Sequence, residues 1–585
     1  MSGVLTAWAR LLVESLAAAG VRDVVLSPGS RNTPFVWVAL ESSRLCCHTI
    51  IDERSAGFVA LGQARISGAP SLLICTSGSA GANYLPAVVE AAASGTPLLV
   101  LTVDRPFELM DCSAPQTIDQ TRLFGAHARR FFELGMPDAE HGAPSALQRR
   151  AAAAALATQY PDPGPVHLNA RAGKPLEPSH DAALDSRVDA LLERGAARAG
   201  RPRQLAGQPA IGGLAEACAG ARSGLIVCGP GSPATAIPQR TIARLARATG
   251  FAVFAEATSQ QRFSLTAQPG VALLDAGPWL FEPGRRAPEL VLQIGAPPTA
   301  AGWDRFLAAH PRLARHVIAE RGWPDPRSSA TGLWLGDPAA NLEALAAALE
   351  AHPAQPEASP WVRSMLKDNQ QIWSIVEEEL GAPDGLLDEP GAVRLLVEAL
   401  PQGSVLVVGN SLPVRELDLY CRARSGGPVV CSQRGANGID GLISGAAGAA
   451  LAAGAPITLL LGDVSFLHDI GGLYAARSVP VPFTIAVLDN GGGRIFEQLP
   501  LADVPGMDGA RLEPWLTPHD FDLSHAAALY GLDFCRPANP AELRRVLASQ
   551  PAGPRVVDIV VPPHSARDTQ RRIRSRLERE LEAPS

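Results

Sequence analysis

At 585 residues, 46% hydrophobic and 19% charged, the chain is long enough for several domains and has the make-up of a soluble globular protein. A net charge of −7 spread over that length argues against nucleic acid as the main partner. Nine cysteines without a C-x-x-C, single apart from Cys46-Cys47, fit thiols used as small core residues in a reducing cytoplasm and give no zinc site.

The opening "MSGVLTAWARLLVESLAAAG" carries Arg10 and Glu14 inside its apolar pattern, which predicts an amphipathic helix and not a signal peptide. Residues 1–185 then alternate strand-like runs ("DVVLSPGS", "SLLICTSG", "PLLVLTVDRP", "PVHLNA") with helical stretches, the grammar of an N-terminal α/β domain. "RGAARAGRPRQLAGQPAIGG" reads as a linker. A central α/β domain over 205–352 starts at "SGLIVCGPGSP" and runs through "FAVFAEAT" and "LVLQIGAPPT"; its "CGPGS" lacks the full G-x-G-x-x-G order of a dinucleotide site. The Pro-rich break "AHPAQPEASP" leads into a C-terminal domain, 362–585, with "SVLVVGNS", "PVVCSQRGANGIDG" and "RVVDIVV". Within it, "LISGAAGAALAAGAPITLLLG" from Leu442 is uncharged and long enough to raise a membrane question. Gly454 and Pro456 break it, so it predicts a small-residue helix packed closely on a sheet and no membrane span. The tail "ARDTQRRIRSRLERELE" mixes both charge signs at helical spacing and reads as a solvated surface helix. Three blocks of like size and grammar predict an α/β fold of three related doubly wound parallel sheets.

The chemistry concentrates in "LLGDVSFLHDIGGLYAARSVPVPFTIAVLDNGGGRIF". "PITLLLG" and "FTIAVLD" read as buried parallel strands joined by a helical stretch, and ligands of such sheets bind beyond the carboxyl ends of strands. Asp463 and Asn490 stand at two such ends, among glycines that let backbone approach an anion. A carboxylate, an amide oxygen and a glycine carbonyl suit Mg2+ and a phosphate. Ordinary strand-end turns use the same residues, and spacing alone leaves the two readings even.

Gly-Asp followed some thirty residues later by Asn resembles the diphosphate-and-magnesium motif of thiamine diphosphate enzymes, of the three-domain pyruvate oxidase and acetolactate synthase type. The same resemblance needs a glutamate in the first domain, and Glu53 supplies one in "IDERSAGFVALGQAR"; without it, an acid at a helix start is only a dipole partner. "LSPGSRNTPF", "DERSAGFVALGQA", "TSGSAGANYLPAVVEA", "LTVDRPFELMDCSAPQTIDQ", "GNSLPVRELD", "QRGANGIDG", "GDVSFLHD" and "NGGGRIFEQLP" together resemble the MenD family of menaquinone biosynthesis. The likeness covers both outer domains, while the middle domain matches only in general character. It implies a transferase that decarboxylates 2-oxoglutarate and adds the succinyl carbanion to isochorismate.

By that resemblance, Asp463, Asn490 and the Gly492 carbonyl hold Mg2+, or Mn2+ in its place, and Gly462 and Ser465 contact the diphosphate. Asp489 stands behind these ligands. Ile439 props the bent cofactor, with Ile495 also against it, and Thr76, Ser77 and Gly78 lie on the pyrimidine side. Glu53 hydrogen-bonds the aminopyrimidine, and Ser30, Arg31 and Gln116 stand near the reacting centre. Two dicarboxylate substrates call for arginine forks, and Arg31, Arg105, Arg415 and Arg434 each follow a strand-like run. Asn410 and Ser411 would hydrogen-bond substrate, with Phe496 and Leu499 as an apolar wall. His468 reads as a lone helix residue, and the first-domain motifs hold no histidine pair for returning protons to carbon. Relatives carry a base after the "QIGAPPT"-like strand, where this chain has Ala300, Ala301 and Gly302; Arg305 is the candidate substitute. A cofactor shared between subunits implies a homodimer or homotetramer. Rival readings are an acetolactate-type enzyme acting on pyruvate, a nucleotide- or flavin-dependent reductase, and a non-catalytic homologue.

Overall fold

The structure is a computed structural model of the single chain and describes residues 2–140, 142–196, 204–266, 268–351, 359–381, 387–507 and 509–581. Of the expected linker, residues 197–203 lie outside the described residues, as do 352–358 of the Pro-rich break.

The apolar runs form the inner strands of three parallel sheets, buried on both faces. The first sheet contains β1 (Asp23–Ser27), β2 (Cys46–Thr49), β3 (Ser71–Cys75), β4 (Leu98–Asp104), β5 (Arg130–Gly135) and β6 (Pro165–Arg171), in the order β2-β1-β3-β4-β6-β5. The central sheet contains β7 (Gly224–Cys228), β8 (Ala252–Ala255), β9 (Leu273–Leu274), β10 (Leu290–Ile294), β11 (Ala314–Ala319) and β12 (Gly332–Leu335), in the order β12-β11-β10-β7-β8-β9. The third contains β13 (Val405–Val408), β14 (Val429–Ser432), β15 (Ile457–Gly462), β16 (Phe483–Asp489), β17 (Asp533–Cys535) and β18 (Pro554–Val560), in the order β14-β13-β15-β16-β18-β17. The outer sheets thus repeat one order, and the central sheet has that of the dinucleotide-binding fold. All three keep the doubly wound grammar, but only the outer two are copies of one topology.

In each outer sheet the order reverses between its first and third strands, which opens a crevice at their carboxyl ends. Beyond β1 and β3 the "SPGS" and "TSG" loops touch: a Cβ on Gly29 would lie 2.7 Å from the Thr76 side chain. Beyond β13 lie Gly409-Asn410, and β15 ends at Gly462 with Asp463 next.

The run from Leu442 forms a buried helix, Leu442–Ala453. Its partner is not chiefly a sheet, as expected, but the Glu53–Ser67 helix of the first domain. A Cβ on Gly62 would sit 2.0 Å from the Gly445 carbonyl oxygen, and one on Gly448 would sit 1.9 Å from that of Val59. Glycines on both helices let the backbones touch. Phe58, Leu61, Ile443, Ala446, Leu459 and Ile485 therefore share one hydrophobic core across the two outer domains.

The tail helix, Ser565–Glu580, is not simply a solvated one. Ile573 and Leu577 are buried with Trp361 and Trp373 of the Pro360–Leu380 helix and with Leu225 and Phe254 of the central sheet. Only its arginine-rich face meets water, where Arg576 pairs with Glu378 at 2.5 Å. Val188, in the Ala182–Arg194 helix, belongs to the first core, which carries that domain past residue 185. Among the described residues no helix is long and apolar enough to cross a membrane.

Candidate active site

β15 ends at Gly462 and runs straight into a short helix, Asp463–His468, which places the Asp463 carboxylate beside backbone donors. Its Oδ1 accepts the Val464 N–H at 2.6 Å and its Oδ2 the Gly492 N–H at 2.8 Å. Burial outweighs these donors and pushes the carboxyl up to about 6. Ser465, two residues on, is buried.

After β16, Asn490 is buried; its Nδ2 donates to Glu389 Oε2 at 2.9 Å, while its Oδ1 has no partner. Gly492, at φ +134°, could not carry a side chain, since a Cβ would meet the Leu516 carbonyl oxygen at 2.3 Å. Its carbonyl accepts the Arg494 N–H at 2.9 Å and keeps a second lone pair. Arg494 also holds the Asn490 and Gly491 carbonyls at 3.1 and 3.2 Å. A buried carboxylate, an orphaned amide oxygen and a fixed glycine carbonyl fit a hard divalent cation and its diphosphate.

Sequence reading missed His519, whose Nε2 lies 3.3 Å from Asp463 Oδ2. Ligand atoms of Asp463, Asp489 and His519 lie within 4.8 Å of one another. "TPHD" offered no signal, because His519 reaches the site only when its loop folds over Gly492.

Two arginines converge beyond β13 and β14. Arg434 donates to Asn410 Oδ1 at 3.0 Å, and Arg415 donates to the Ser411 carbonyl at 2.7 Å. Burial first, then the Arg434 cation, lowers the pKa of Arg415; burial likewise lowers Arg434. The Asn410 amide is fixed by the Gln433 and Gly438 carbonyls at 2.9 and 2.7 Å. The first domain props this loop: Glu90 pairs with buried Arg65 and accepts the Gly435 and Ala436 N–H groups at 3.0 and 2.6 Å, while Arg65 donates to the Ser432 carbonyl at 2.5 Å. From the central domain comes buried Glu256, whose charge opposes both arginines; burial and Asp418 raise its pKa, against donors from Thr299. Arg305 does not reach this site, since it pairs with Glu282 at 3.0 Å. Gly302 is packed 3.0 Å from the Phe281 carbonyl oxygen, measured from a Cβ placed on it, so position 302 serves helix packing.

Ile439 and Ile495 are half-buried, Phe496 likewise, and Leu499 is 40% exposed, so these apolar groups border the crevice and do not fill a core. His468 is exposed at its helix end.

The remaining expected residues lie at the first sheet. Glu53 opens the Glu53–Ser67 helix, with Asp52 as its N-cap accepting the Arg54 N–H. Glu53 faces the end of β3: burial, with this carboxylate's charge behind it, raises the Cys75 thiol's pKa. Ser77 is buried with an unpartnered Oγ, and Gly78, at φ +88°, lies against Gln116. Gln116 is exposed, and Gln120, which the sequence did not single out, takes the Gly78 N–H at 3.1 Å. Arg105 donates to the Pro115 carbonyl at 2.8 Å and so pins the Gln116 loop; buried Arg31 donates to Ala172 O at 2.7 Å. Ser30 is exposed beside it. Within one chain, then, the candidates form two clusters, one at the crevice of each outer sheet.

Two crevices of one topology, one offering a cation and diphosphate cradle and the other an acid at a helix start, define a thiamine diphosphate enzyme. Residues 7–123 match the family model "Thiamine pyrophosphate enzyme, N-terminal TPP binding domain" and 428–559 match "Thiamine pyrophosphate enzyme, C-terminal TPP binding domain". A benzoylformate decarboxylase from Polynucleobacter necessarius shares the fold, with a TM-score of 0.70 at 16% identity over 96% of this chain and 99% of that one. The 2-succinyl-5-enolpyruvyl-6-hydroxy-3-cyclohexene-1-carboxylate synthase of Sorangium cellulosum is 44% identical over 100% of this chain and 97% of its own. Those of Myxococcus xanthus and Geobacillus kaustophilus are 37% and 38% identical, over 97% and 93% of this chain and 97% and 92% of their own. The chain belongs to the 2-succinyl-5-enolpyruvyl-6-hydroxy-3-cyclohexene-1-carboxylate synthase family.

Proposed function

We propose that the chain decarboxylates 2-oxoglutarate and adds the resulting succinyl carbanion, by 1,4-addition, to isochorismate. The products are 2-succinyl-5-enolpyruvyl-6-hydroxy-3-cyclohexene-1-carboxylate and CO2, a step of menaquinone biosynthesis. The observation that carries this reading is the Arg415–Arg434 pair, two largely buried guanidinium groups beyond β13 and β14 suited to receiving substrate carboxylates.

Bound thiamine diphosphate supplies the carbon nucleophile and the electron sink for decarboxylation. The chain does the rest. Asp463, Asn490 and the Gly492 carbonyl hold Mg2+, with Gly462 and Ser465 against the diphosphate. Ile439 and Ile495 border the cofactor. Glu53 would hydrogen-bond the aminopyrimidine of the cofactor, and Thr76, Ser77 and Gly78 would line its pyrimidine side. Arg31 and Arg105 from one subunit and Arg415 and Arg434 from the other receive the substrate carboxylates. Asn410, Ser411, Ser30 and Gln116 hydrogen-bond the reacting groups, and Phe496 and Leu499 exclude water. Sharing of this kind requires at least a dimer. Ile51 and Ile470, 70% and 37% exposed beside the Glu53 helix start, support a covered surface there.

The test is turnover of isochorismate in the presence of the protein, thiamine diphosphate, Mg2+ and 2-oxoglutarate, with each addition omitted in turn. Loss of isochorismate should need all of them, and Glu53→Gln should lower the rate by about 10²–10⁴ while remaining folded. Equal rates with pyruvate in place of 2-oxoglutarate would reject the assignment.

A further inference from the structure

We infer that Glu389 is a positioning residue for the divalent cation: it fixes which end of the Asn490 amide faces the metal. The inference rests on the proposed cation site. An asparagine amide has one end that donates and one that accepts, and only the oxygen can bind a cation. Glu389 Oε2 accepts from Asn490 Nδ2 at 2.9 Å, both side chains being buried, at 1% and 5% exposure. The amide oxygen at the other end is buried and has no partner in the protein. A flipped amide would lose the observed bond from Nδ2 to Glu389 Oε2 and turn its NH2, which cannot bind a cation, towards the metal.

Glu389 is itself held in place. It opens the Glu389–Ala399 helix, whose N-cap Asp388 accepts the Gly391 N–H at 2.9 Å. The tail helix braces both residues: the Glu389 N–H donates to Ser565 Oγ at 3.2 Å, and Thr569 Oγ1 donates to Asp388 Oδ2 at 3.1 Å. A chain of contacts thus runs from the C-terminal helix to a metal ligand. Partners behind a ligand orient it and raise its basicity, and their loss typically weakens metal binding by about 10- to 100-fold.

The test is the Mg2+ dissociation constant at saturating thiamine diphosphate, read by near-UV circular dichroism, with Mn2+ binding by electron paramagnetic resonance as a second measure. Glu389→Ala should weaken both by about 10- to 100-fold. Glu389→Gln, whose Oε1 can still accept from Asn490, should lose less. Asn490→Asp alone should also bind poorly, with two carboxylates facing each other. The double variant Glu389→Gln/Asn490→Asp restores a donor–acceptor pair of reversed polarity and should recover to within about tenfold of the parent, a rescue that a packing role would not give. Far-UV circular dichroism checks that each variant is folded. Parent-like affinity in Glu389→Ala, or no rescue in the double variant, overturns the inference and leaves the cation site standing. Failure of the parent itself to bind cation and cofactor overturns both.

Discussion

Asp469 is a carboxyl that works against its own charge. It accepts the Ser444 N–H at 2.7 Å and the Ser444 hydroxyl at 2.9 Å, yet burial pushes its pKa up to about 7. In the unfolded chain it ionises near 3.8. Between those values the folded state binds the extra proton, so its contribution to stability is full below pH 4 and is lost as pH rises towards 7. The slope is at most about 1.4 kcal/mol per pH unit. Asparagine can keep both contacts to Ser444, accepting from the N–H and donating to the hydroxyl. Asp469→Asn should therefore gain thermal stability relative to the parent on going from pH 5 to pH 8, measured by scanning calorimetry at both values. A constant difference between the two proteins would contradict the shift. Such single residues were the hardest to read from sequence. Asp463 and Asn490 announce themselves because a strand end, a glycine and an oxygen donor coincide within a few positions. Glu389, Glu90 and Glu256 act on groups far away in sequence, and each looks like an ordinary helix or loop acid until the fold brings it to its partner.

The element on which the molecule depends most is the crossing of Glu53–Ser67 with Leu442–Ala453. At Gly62 and Gly448 the two helices meet backbone to backbone, so a Cβ at either position must part them. Gly448→Ala would place a carbon 1.9 Å from the Val59 carbonyl oxygen. It should lower the unfolding temperature by an amount corresponding to about 1–3 kcal/mol or more, and weaken cofactor binding, because the first helix carries Glu53. Gly454→Ala, where a Cβ would meet nothing within 4 Å but φ is +59°, is the control for backbone strain alone. An unchanged Gly448→Ala transition would show that the helices can part freely. Sequence gave this helix its small residues and its length. It could not say that the partner was another helix, because Ala and Gly suit close approach to either.

At the level of the whole molecule, the three blocks and their order were legible from alternating apolar runs and Pro- or Gly-rich breaks. The strand order of the central sheet was not, since a run of Val, Leu and Ile carries no record of its neighbours. The proposed function shares the cofactor between Glu53 of one chain and Asp463 with Asn490 of another, and that sharing can be tested directly. Light scattering after size exclusion should give at least a dimer. Ile51→Asp, at an apolar group 70% exposed beside Glu53, should shift the protein towards monomer and weaken thiamine diphosphate binding together. A monomer that binds the cofactor at full strength would contradict a shared site.

The joint core of the outer domains also sets a constraint on synthesis. The apolar face of the Glu53–Ser67 helix leaves the ribosome long before the Leu442–Ala453 helix that covers it. At roughly 5–20 residues per second, that interval is on the order of tens of seconds. During it the nascent N-terminal domain carries an apolar face that stays uncovered until translation has passed Ala453.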